Sequence, residues 1–358
     1  MHGGDIYNNR VDIDFSVNLN PYPPDKETED RIKTAVNEGL DNARYYPDPA
    51  QKDVREAIAS ANGLTGECVY AGNGASEIIA AITSMTAPKK ALLIEPCYSG
   101  YEHALGPWQG CDVKRAFLKE ENDFELTGDI LDTITSDIDI LFLQDPINPT
   151  GKTADPRILY TILEKANACY ITVLYDRSFY LLSDRSLNDP MKSGDILKRF
   201  DNVYIVSSYT KCFALPGIRM GYVMSTKPNI STLIPFFPEW NISSIAASLI
   251  KVCSGILNTS DYMERSVRYI RKERRFLREA LSDLGFKVYE GDTVFILMKG
   301  MKGLYDRLLA KGILIRRCDD MGGLSDGFYR IAVRSHEDNE RLLAAIREVM
   351  DEAGTYKA

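Results

Sequence analysis

One lysine stands in a stretch whose side chains could hold a phosphate and react with an aldehyde. The run Val203–Ser208 is β-rich, Thr210 and Lys211 follow it, and Arg219 stands eight positions after the lysine. Hydroxyl groups donate hydrogen bonds to phosphate oxygens, and a guanidinium group can pair with two such oxygens at once. A lysine amine can form a Schiff base with an aldehyde. Pyridoxal phosphate (PLP) carries both groups, so Ser208, Thr210, Lys211 and Arg219 favour a PLP site; the alternative is a strand-end loop with an exposed lysine.

Length, composition and charge restrict the class of protein. The chain has 358 residues, 44% of them hydrophobic, which is enough for two domains. Its net charge of −8 argues against general binding to nucleic acid or anionic membranes. The seven cysteines lack CxxC spacing and indicate reduced thiols, and the three histidines are not at metal-ligand spacing. Without a signal segment or a membrane-length apolar run, we expect a cytoplasmic protein with no metal site.

Short apolar runs alternate with helical patterns through the middle of the chain. This alternation predicts an α/β fold with a mostly parallel sheet covered on both faces by helices. The predicted strands are residues 68–71, 91–94, 138–143, 170–175, 203–207 and 220–224.

The pattern changes near residue 259, where an amphipathic helix begins and strands and helices of a smaller α+β domain follow. The strands predicted for that domain are residues 287–289, 294–297, 313–316 and 329–333. We therefore expect an irregular arm that packs with the small domain, then a large domain and a small C-terminal domain. Their expected bounds are residues 1–44, 45–255 and 256–358.

In an open α/β sheet, ligands bind at the carboxyl ends of the strands, and further candidate residues fall there. Ala75 and Ser76 follow the first strand and open a helix, whose free backbone N–H groups suit a phosphate. The glycines before them also fit part of a dinucleotide-binding fingerprint, which keeps a dehydrogenase as an alternative. Glu77 stands where the third glycine of that fingerprint is required.

The next three strand ends carry an aromatic ring, an amide and an acid. Tyr98 could stack on a pyridine ring, or be an ordinary packed tyrosine. Asn148 could donate a hydrogen bond to a ring hydroxyl, or belong to a simple Asn-Pro turn. A partly buried carboxylate needs a partner, and for Asp176 a pyridinium N–H is a suitable one. Keeping that nitrogen protonated makes PLP an electron sink.

With these motifs in this order, the chain resembles fold-type-I PLP enzymes of the class I/II aminotransferase superfamily. The resemblance implies that Lys211 is the Schiff-base lysine and that Asp176 pairs with the pyridine nitrogen. It implies that Asn148 binds the ring hydroxyl and that Tyr98 stacks on the ring. The phosphate group would be held by Ala75, Ser76, Ser208, Thr210 and Arg219.

The same resemblance implies a homodimer and a substrate that is an amino acid reacting through an external aldimine. Tyr46 is similar to the tyrosine that reaches the phosphate in the partner subunit of such enzymes. Arg330 matches the arginine that binds the substrate carboxylate, a bidentate task suited to arginine. No nucleic-acid or membrane partner is expected.

Two branches of the superfamily compete. The opening His2-Gly3-Gly4, the arm 14–21 and the stretch 312–316 resemble threonine-phosphate decarboxylases of cobalamin synthesis. By that resemblance His2, Asn18 and Arg316 would hold a substrate phosphate. The alternative is an aminotransferase of the histidinol-phosphate type, and a rival from another class is a non-catalytic PLP-binding regulator, which would need a fused DNA-binding domain.

Three positions depart from common relatives. Arg177 stands where many have an acid, and Ile147 replaces a common asparagine. Phe179 stands where relatives often place a tyrosine on the ring oxygen, and Tyr180 is a candidate to replace that donor. These departures leave the reaction and the substrate open between decarboxylation and transamination.

Overall fold

A computed structural model describes residues 3–354 of the chain. The strands in this part are β1 (Ile13–Asp14), β2 (Val69–Asn73), β3 (Lys90–Glu95), β4 (Asp112–Phe117), β5 (Ile140–Gln144), β6 (Thr172–Asp176), β7 (Val203–Ser208), β8 (Met220–Met224), β9 (Lys287–Val288), β10 (Phe295–Lys299), β11 (Ile313–Leu314), β12 (Arg316–Arg317) and β13 (Phe328–Ala332). The helices are α1 (Lys26–Asp41), α2 (Lys52–Asn62), α3 (Ala75–Thr86), α4 (Gly100–Leu105), α5 (Pro156–Ala168), α6 (Ser193–Arg199), α7 (Tyr209–Cys212), α8 (Lys227–Leu233), α9 (Ser244–Thr259), α10 (Tyr262–Asp283), α11 (Leu304–Ala310) and α12 (His336–Glu352).

The large sheet has seven strands in the order β2-β8-β7-β6-β5-β3-β4. Only β8 runs against its neighbours, so the prediction of a mostly parallel sheet is confirmed. Its central strands are buried on both faces because helices cover each side, which explains why they are continuous apolar runs in the sequence. The carboxyl ends of the parallel strands meet along one edge.

The edge strand β4 was not predicted from the sequence. Its residues, Asp112–Phe117, include three charged side chains. Edge strands commonly carry charge because charge blocks pairing with another chain, and these charged residues hide the apolar pattern of the strand.

The helices begin where capping chemistry predicts. Asp155 accepts a hydrogen bond from the Arg157 amide with Pro156 in the first turn of α5, and Ser243 accepts one from Ala246 at α9.

A second sheet, in the order β12-β13-β10-β9, is antiparallel and lies beneath α10 and α12. Residues of the apolar face of α10, the amphipathic helix predicted to begin near residue 259, are fully buried there, including Val267, Ile270 and Leu277. The architecture is therefore the predicted one, a large mixed sheet flanked by helices and a smaller α+β part. Within residues 3–354 no helix combines the length and the apolar character needed to cross a membrane.

The prediction of one strand over residues 313–316 is wrong. The segment divides at Ile315, because β11 pairs with β1 of the arm while β12 pairs with β13. The arm is thus not wholly irregular. Ile13 pairs with Ile313, and the Phe15 amide donates to the Leu314 carbonyl at 2.7 Å. This pairing fixes the residues that follow, Ser16 to Asn18, above the edge of the large sheet where the strands end.

Candidate active site

A cavity of about 230 Å³ lies where the parallel strands of the large sheet end, between the arm and the second sheet. Twelve of the fourteen residues predicted for the site line it: Asn18, Ala75, Ser76, Tyr98, Asn148, Asp176, Ser208, Thr210, Lys211, Arg219, Arg316 and Arg330. Tyr46 does not line it, and His2 lies outside the described residues. Residues as far apart in the sequence as Asn18 and Arg330 therefore line one cavity.

Lys211 lies in α7, the short helix that continues β7. The Ser208 hydroxyl caps this helix by accepting a hydrogen bond from the Thr210 amide at 3.2 Å. Burial, together with the positive charges of Arg330 and Arg219, lowers the pKa of the Lys211 amine to about 8. Its Nζ lies 5.4 Å from the centre of the Phe179 ring. A lysine with a lowered pKa has more of the neutral amine, which is the nucleophilic form.

Asp176 ends β6 and is buried beside this lysine. Its Oδ1 accepts a hydrogen bond from the Ser178 amide at 2.8 Å, and its Oδ2 accepts one from the Tyr101 hydroxyl at 2.8 Å. Burial raises the pKa of Asp176, while these two donors hold it down. Tyr101 was missed by the sequence reasoning. No local signal marks it, because its contact with Asp176 depends on how α4 docks against the sheet.

The start of α3 and the loop before β8 form a cradle suited to an anion. Helix α3 has no side-chain cap, so the first backbone N–H groups, at Ala75 and Ser76, are not taken by one. Gly74 has φ +80°, and a Cβ there would lie 2.4 Å from Nη2 of Arg219. Arg219 itself has a left-handed backbone, with φ 66°. Only a residue without a side chain at position 74 lets the guanidinium approach the helix end.

The hydroxyls of Ser208 and Thr210 face the same cradle. Both contact the Met220 carbonyl, at 2.9 and 3.2 Å, and Thr210 Oγ1 also accepts from the Met220 amide. A hydroxyl proton turns freely about its C–O bond, so either group can donate to a phosphate oxygen instead.

Arg330 joins three distant parts of the chain. Its Nη1 donates to Asn148 Oδ1 and its Nη2 to the Ser16 carbonyl, both at 2.6 Å. Burial lowers the pKa of Arg330 to about 10. The bond to Oδ1 fixes the amide of Asn148, whose nitrogen makes no hydrogen bond within residues 3–354. That nitrogen is therefore left to donate to a ligand.

Arg316 lies directly opposite Arg330 in the pairing of β12 with β13, and both side chains are buried. The Arg316 guanidinium pairs with Asp320 at 2.9 Å. Asn18, only 3% exposed, lines the same cavity, and its Oδ1 has no hydrogen-bond partner in the described part of the chain. A buried polar atom without a hydrogen-bond partner is unfavourable, so we expect a donor group of a ligand to form a hydrogen bond with this oxygen.

Tyr180 does not take the place of the tyrosine that Phe179 lacks, so that expectation is wrong. Its hydroxyl donates to Asp189 at 2.5 Å and its ring lies 3.4 Å from the Arg177 guanidinium, outside the cavity. Tyr46 is 79% exposed and stacks on Trp240 with ring centres 4.7 Å apart. Within residues 3–354 no group of three His, Cys, Asp or Glu side chains is arranged to hold a metal ion.

Comparison with known proteins identifies the family. The chain matches the family Aminotransferase class I and II over residues 10–346. It belongs to this family. The enzyme family uses PLP, and the fold-type-I assignment is confirmed by solved structures that align over nearly the whole chain.

Relatives of this aminotransferase-family enzyme carry two activities. The threonine-phosphate decarboxylase of Salmonella typhimurium is 31% identical over 94% of this chain and 91% of its own length. The histidinol-phosphate aminotransferase from Clostridium acetobutylicum is 30% identical, with TM-score 0.84 over 95% of this chain and 99% of that one. The L-threonine-O-3-phosphate decarboxylase structure from Porphyromonas gingivalis, 21% identical, shares the fold with TM-score 0.78 over 93% of this chain and 98% of that one.

The residues of this family member fit PLP on the structure's own evidence. The absence of a side chain at Gly74 lets the Arg219 guanidinium approach the start of α3, where this positive charge and the free N–H groups of the helix end together suit an anion. The amine of Lys211 and the carboxylate of Asp176 line the same cavity, as an aldehyde and a pyridinium nitrogen on one ring require.

Proposed function

We propose that this enzyme decarboxylates an O-phosphorylated α-amino acid, with O-phospho-L-threonine as the best candidate. The observation that carries the proposal is the position of Arg316 directly opposite Arg330, with both side chains lining the cavity. Side chains opposite each other in an antiparallel pair have Cβ atoms roughly 4.5–5.5 Å apart. Two arginines that line one cavity from facing positions are suited to a small substrate with two anionic groups.

The chemistry of the substrate follows from this pair. Arg330 is suited to an α-carboxylate, because a guanidinium pairs with both carboxylate oxygens. Arg316, with the amide of Asn18 near it in the cavity, is suited to a phosphate on the amino-acid side chain. The Salmonella relative, named threonine-phosphate decarboxylase, supports the same substrate class.

When bound, PLP supplies an electron sink that accepts the pair of electrons left by the departing carboxyl carbon. Asp176, whose charged form the Tyr101 and Ser178 donors favour, would hold the ring nitrogen of the bound cofactor protonated. Arg330 would hold the carboxylate and so would fix the orientation of the bonds to the α-carbon. After CO₂ leaves, the Lys211 ammonium returns a proton to the α-carbon, and its pKa of about 8 suits that transfer near neutral pH.

We propose that the arm, residues 1–44, acts as a lip that closes the substrate side of the cavity. The pairing of β1 with β11 and the bond from Arg330 to the Ser16 carbonyl support this role. The amide N–H₂ of Asn18, which can donate to a phosphate oxygen, then completes the wall next to the substrate phosphate. The division into a large domain at residues 45–255 and a small domain at residues 256–358 remains part of the proposal.

The second candidate is an aminotransferase of the histidinol-phosphate type, favoured by the likeness to the Clostridium structure. Histidinol phosphate carries a phosphate and a neutral imidazole but no carboxylate. In the present cavity one of the two arginines would then face no anion, which is unfavourable for a buried charge. This contrast makes the decarboxylase the better-supported function.

We also propose that the protein is a cytoplasmic homodimer. The stacked pair Tyr46 and Trp240 is exposed, and large exposed aromatic side chains are typical of a surface that a partner covers. In that dimer Tyr46 would reach the cofactor phosphate of the partner subunit. The seven cysteines are all free, which is consistent with a reducing compartment.

The test is to incubate PLP-loaded enzyme with O-phospho-L-threonine, with and without 2-oxoglutarate, and to identify the products by mass. Aminopropanol phosphate and CO₂ formed without any oxo-acid would establish the decarboxylase. Glutamate formed only in the presence of 2-oxoglutarate would contradict it and favour the aminotransferase.

The substrate phosphate is tested with a matched pair of variants. Arg316→Ala should lose the preference for phosphorylated over unphosphorylated threonine. Arg317→Ala should keep it, since Arg317 is the exposed neighbour on the same strand and pairs with Asp319. Equal loss for both substrates in Arg316→Ala would sink the phosphate assignment.

A further inference from the structure

A second cavity of about 410 Å³ lies outside the site described above, on the other face of the large sheet. We call it the rear cavity. Its polar lining includes Asn62, Arg177, Asp189, Lys192, Ser207 and Tyr222.

The two cavities lie on opposite faces of the large sheet and are lined by neighbouring residues of the same strand ends. Successive side chains of a strand point to opposite faces, so neighbours in the chain are divided between the cavities. Asp176 and Ser208 line the active-site cavity, whereas Arg177 and Ser207 line the rear cavity. A charged group in the rear cavity is therefore separated from the cofactor site only by the thickness of the sheet.

Arg177 has an unused donor there. Its side chain is buried, Nη1 donates to the Met191 carbonyl at 2.9 Å and Nη2 donates to Asp189 at 2.8 Å. Its Nε is buried and has no hydrogen-bond partner within residues 3–354. A buried guanidinium donor without an acceptor is unfavourable, so the arrangement is incomplete without an added acceptor.

The charges of the cavity favour a negative ligand. The carboxylate of Asp189 is occupied by Arg177, by the Tyr180 hydroxyl and by the Met191 amide, so the charges of Asp189 and Arg177 offset each other. Lys192 is exposed at the mouth and makes no ion pair within the described residues. The lining thus carries one excess positive charge, together with the hydroxyls of Ser207 and Tyr222.

We propose that the rear cavity is a second, non-catalytic binding site for a small oxyanion of the phosphate type. Arg177 Nε and the Lys192 ammonium donate to the anion. Arg177 Nε supplies the buried donor of this site, and the Lys192 ammonium supplies its excess positive charge.

The experiment is a calorimetric titration of cofactor-loaded enzyme with inorganic phosphate, in a zwitterionic buffer. It is done in an Arg316→Ala background, which removes the proposed substrate-phosphate position. We expect one phosphate per chain. Adding Lys192→Met should weaken binding about tenfold or more, the loss typical of one charge-assisted hydrogen bond. Lys198→Met is the control, because Lys198 is an exposed lysine of α6 that pairs with Asp195 and lies outside the cavity.

A crystal of the same protein soaked in selenate gives a direct measurement. We expect an anomalous peak within hydrogen-bonding distance of Arg177 Nε. Absence of phosphate binding in the Arg316→Ala background, or equal affinity in the Lys192→Met and Lys198→Met variants, would overturn the proposal. Neither result would bear on the proposed decarboxylase activity, which is measured on other residues.

Discussion

The Tyr101 hydroxyl donates a 2.8 Å hydrogen bond to Oδ2 of Asp176, and both residues are buried. The ring of Tyr101 packs against Phe142 with centres 5.0 Å apart and meets Tyr98 edge-on at 5.6 Å. One side chain therefore supports both the acid and the candidate stacking ring of the site. Without this donor, only Ser178 and the charge of Lys211 would oppose the effect of burial, which favours the neutral form of Asp176.

The first prediction concerns Tyr101→Phe, which keeps the ring and removes the hydroxyl. The pKa of Asp176 should rise, and PLP affinity should fall about tenfold, because one hydrogen bond to a charged group is lost. Since a neutral carboxyl cannot pair with the ring N–H, the loss should grow as the pH falls through the raised pKa. Equilibrium binding of PLP across pH measures this.

Tyr204→Phe is the matched control, because the Tyr204 hydroxyl contacts Met85 away from the cavity. It should leave both the affinity and its pH dependence unchanged. If Tyr101→Phe bound PLP like the wild type at every pH, the role given to Tyr101 would be wrong.

The second prediction concerns the pH dependence of cofactor capture by the apoenzyme. Only the neutral amine of Lys211 attacks an aldehyde, and its pKa is lowered from 10.5 to about 8. The rate of recombination with PLP should therefore rise about tenfold per pH unit and level off near pH 8. A rate still rising above pH 10 would contradict the lowered pKa.

The lowered pKa of Lys211 also makes the unfolding free energy of the apoenzyme depend on pH, in a direction that follows from the shift. Between pH 8 and 10.5 the unfolded chain holds the lysine proton and the folded apoenzyme does not. Unfolding free energy should therefore rise with pH across this window, so far as this group contributes. Comparison with Lys211→Met by denaturant titration isolates that contribution, since the difference should vanish for the variant.

The third prediction concerns Gly221, which packs β8 against the start of α3. A Cβ there would lie 2.4 Å from the backbone carbon of Gly74, which cannot move without shifting the helix end. Gly221→Ala should lower unfolding free energy by about 1–3 kcal/mol, the usual effect of overpacking. Gly217→Ala is the control, since a Cβ at Gly217 meets nothing within 4 Å. Equal melting temperatures for the two variants would refute the close approach.

The fourth prediction concerns Arg330→Lys, which keeps the charge and loses the planar group. A lysine cannot hold Asn148, the Ser16 carbonyl and a carboxylate together, as the guanidinium geometry allows. We expect kcat/KM to fall about 10- to 100-fold, the loss of one or two charge-assisted hydrogen bonds. Steady-state kinetics on the phosphorylated substrate measures it, and wild-type values would contradict the assignment.

Much of the fold was predictable because its signals are local. The strands β5 to β8 are apolar runs bounded by turns, and such runs need no knowledge of their partners. The split between β11 and β12 was not predictable, since it depends on which distant strand each half pairs with. The edge strand β4 was hidden by its charged residues.

The site shows the same division between local and distant information. Lys211, Asp176 and Asn148 could be found because each stands in a short motif at a strand end. The donor to Asp176 could not be named, since it depends on how α4 docks against the sheet. The direction of Tyr180 depended likewise on Asp189, nine positions later, and on its contact with Arg177.

Arg330 binds Asn148 and the Ser16 carbonyl, so the site joins segments that are far apart in the chain and are synthesised at different times. Strand β1 meets its partner β11 only after some 300 further residues have been made. A chain emerging from the ribosome therefore carries its arm unpaired and cannot close the cavity around a cofactor or substrate. The cavity is therefore complete only after the segments that carry β11 and Arg330 have been synthesised.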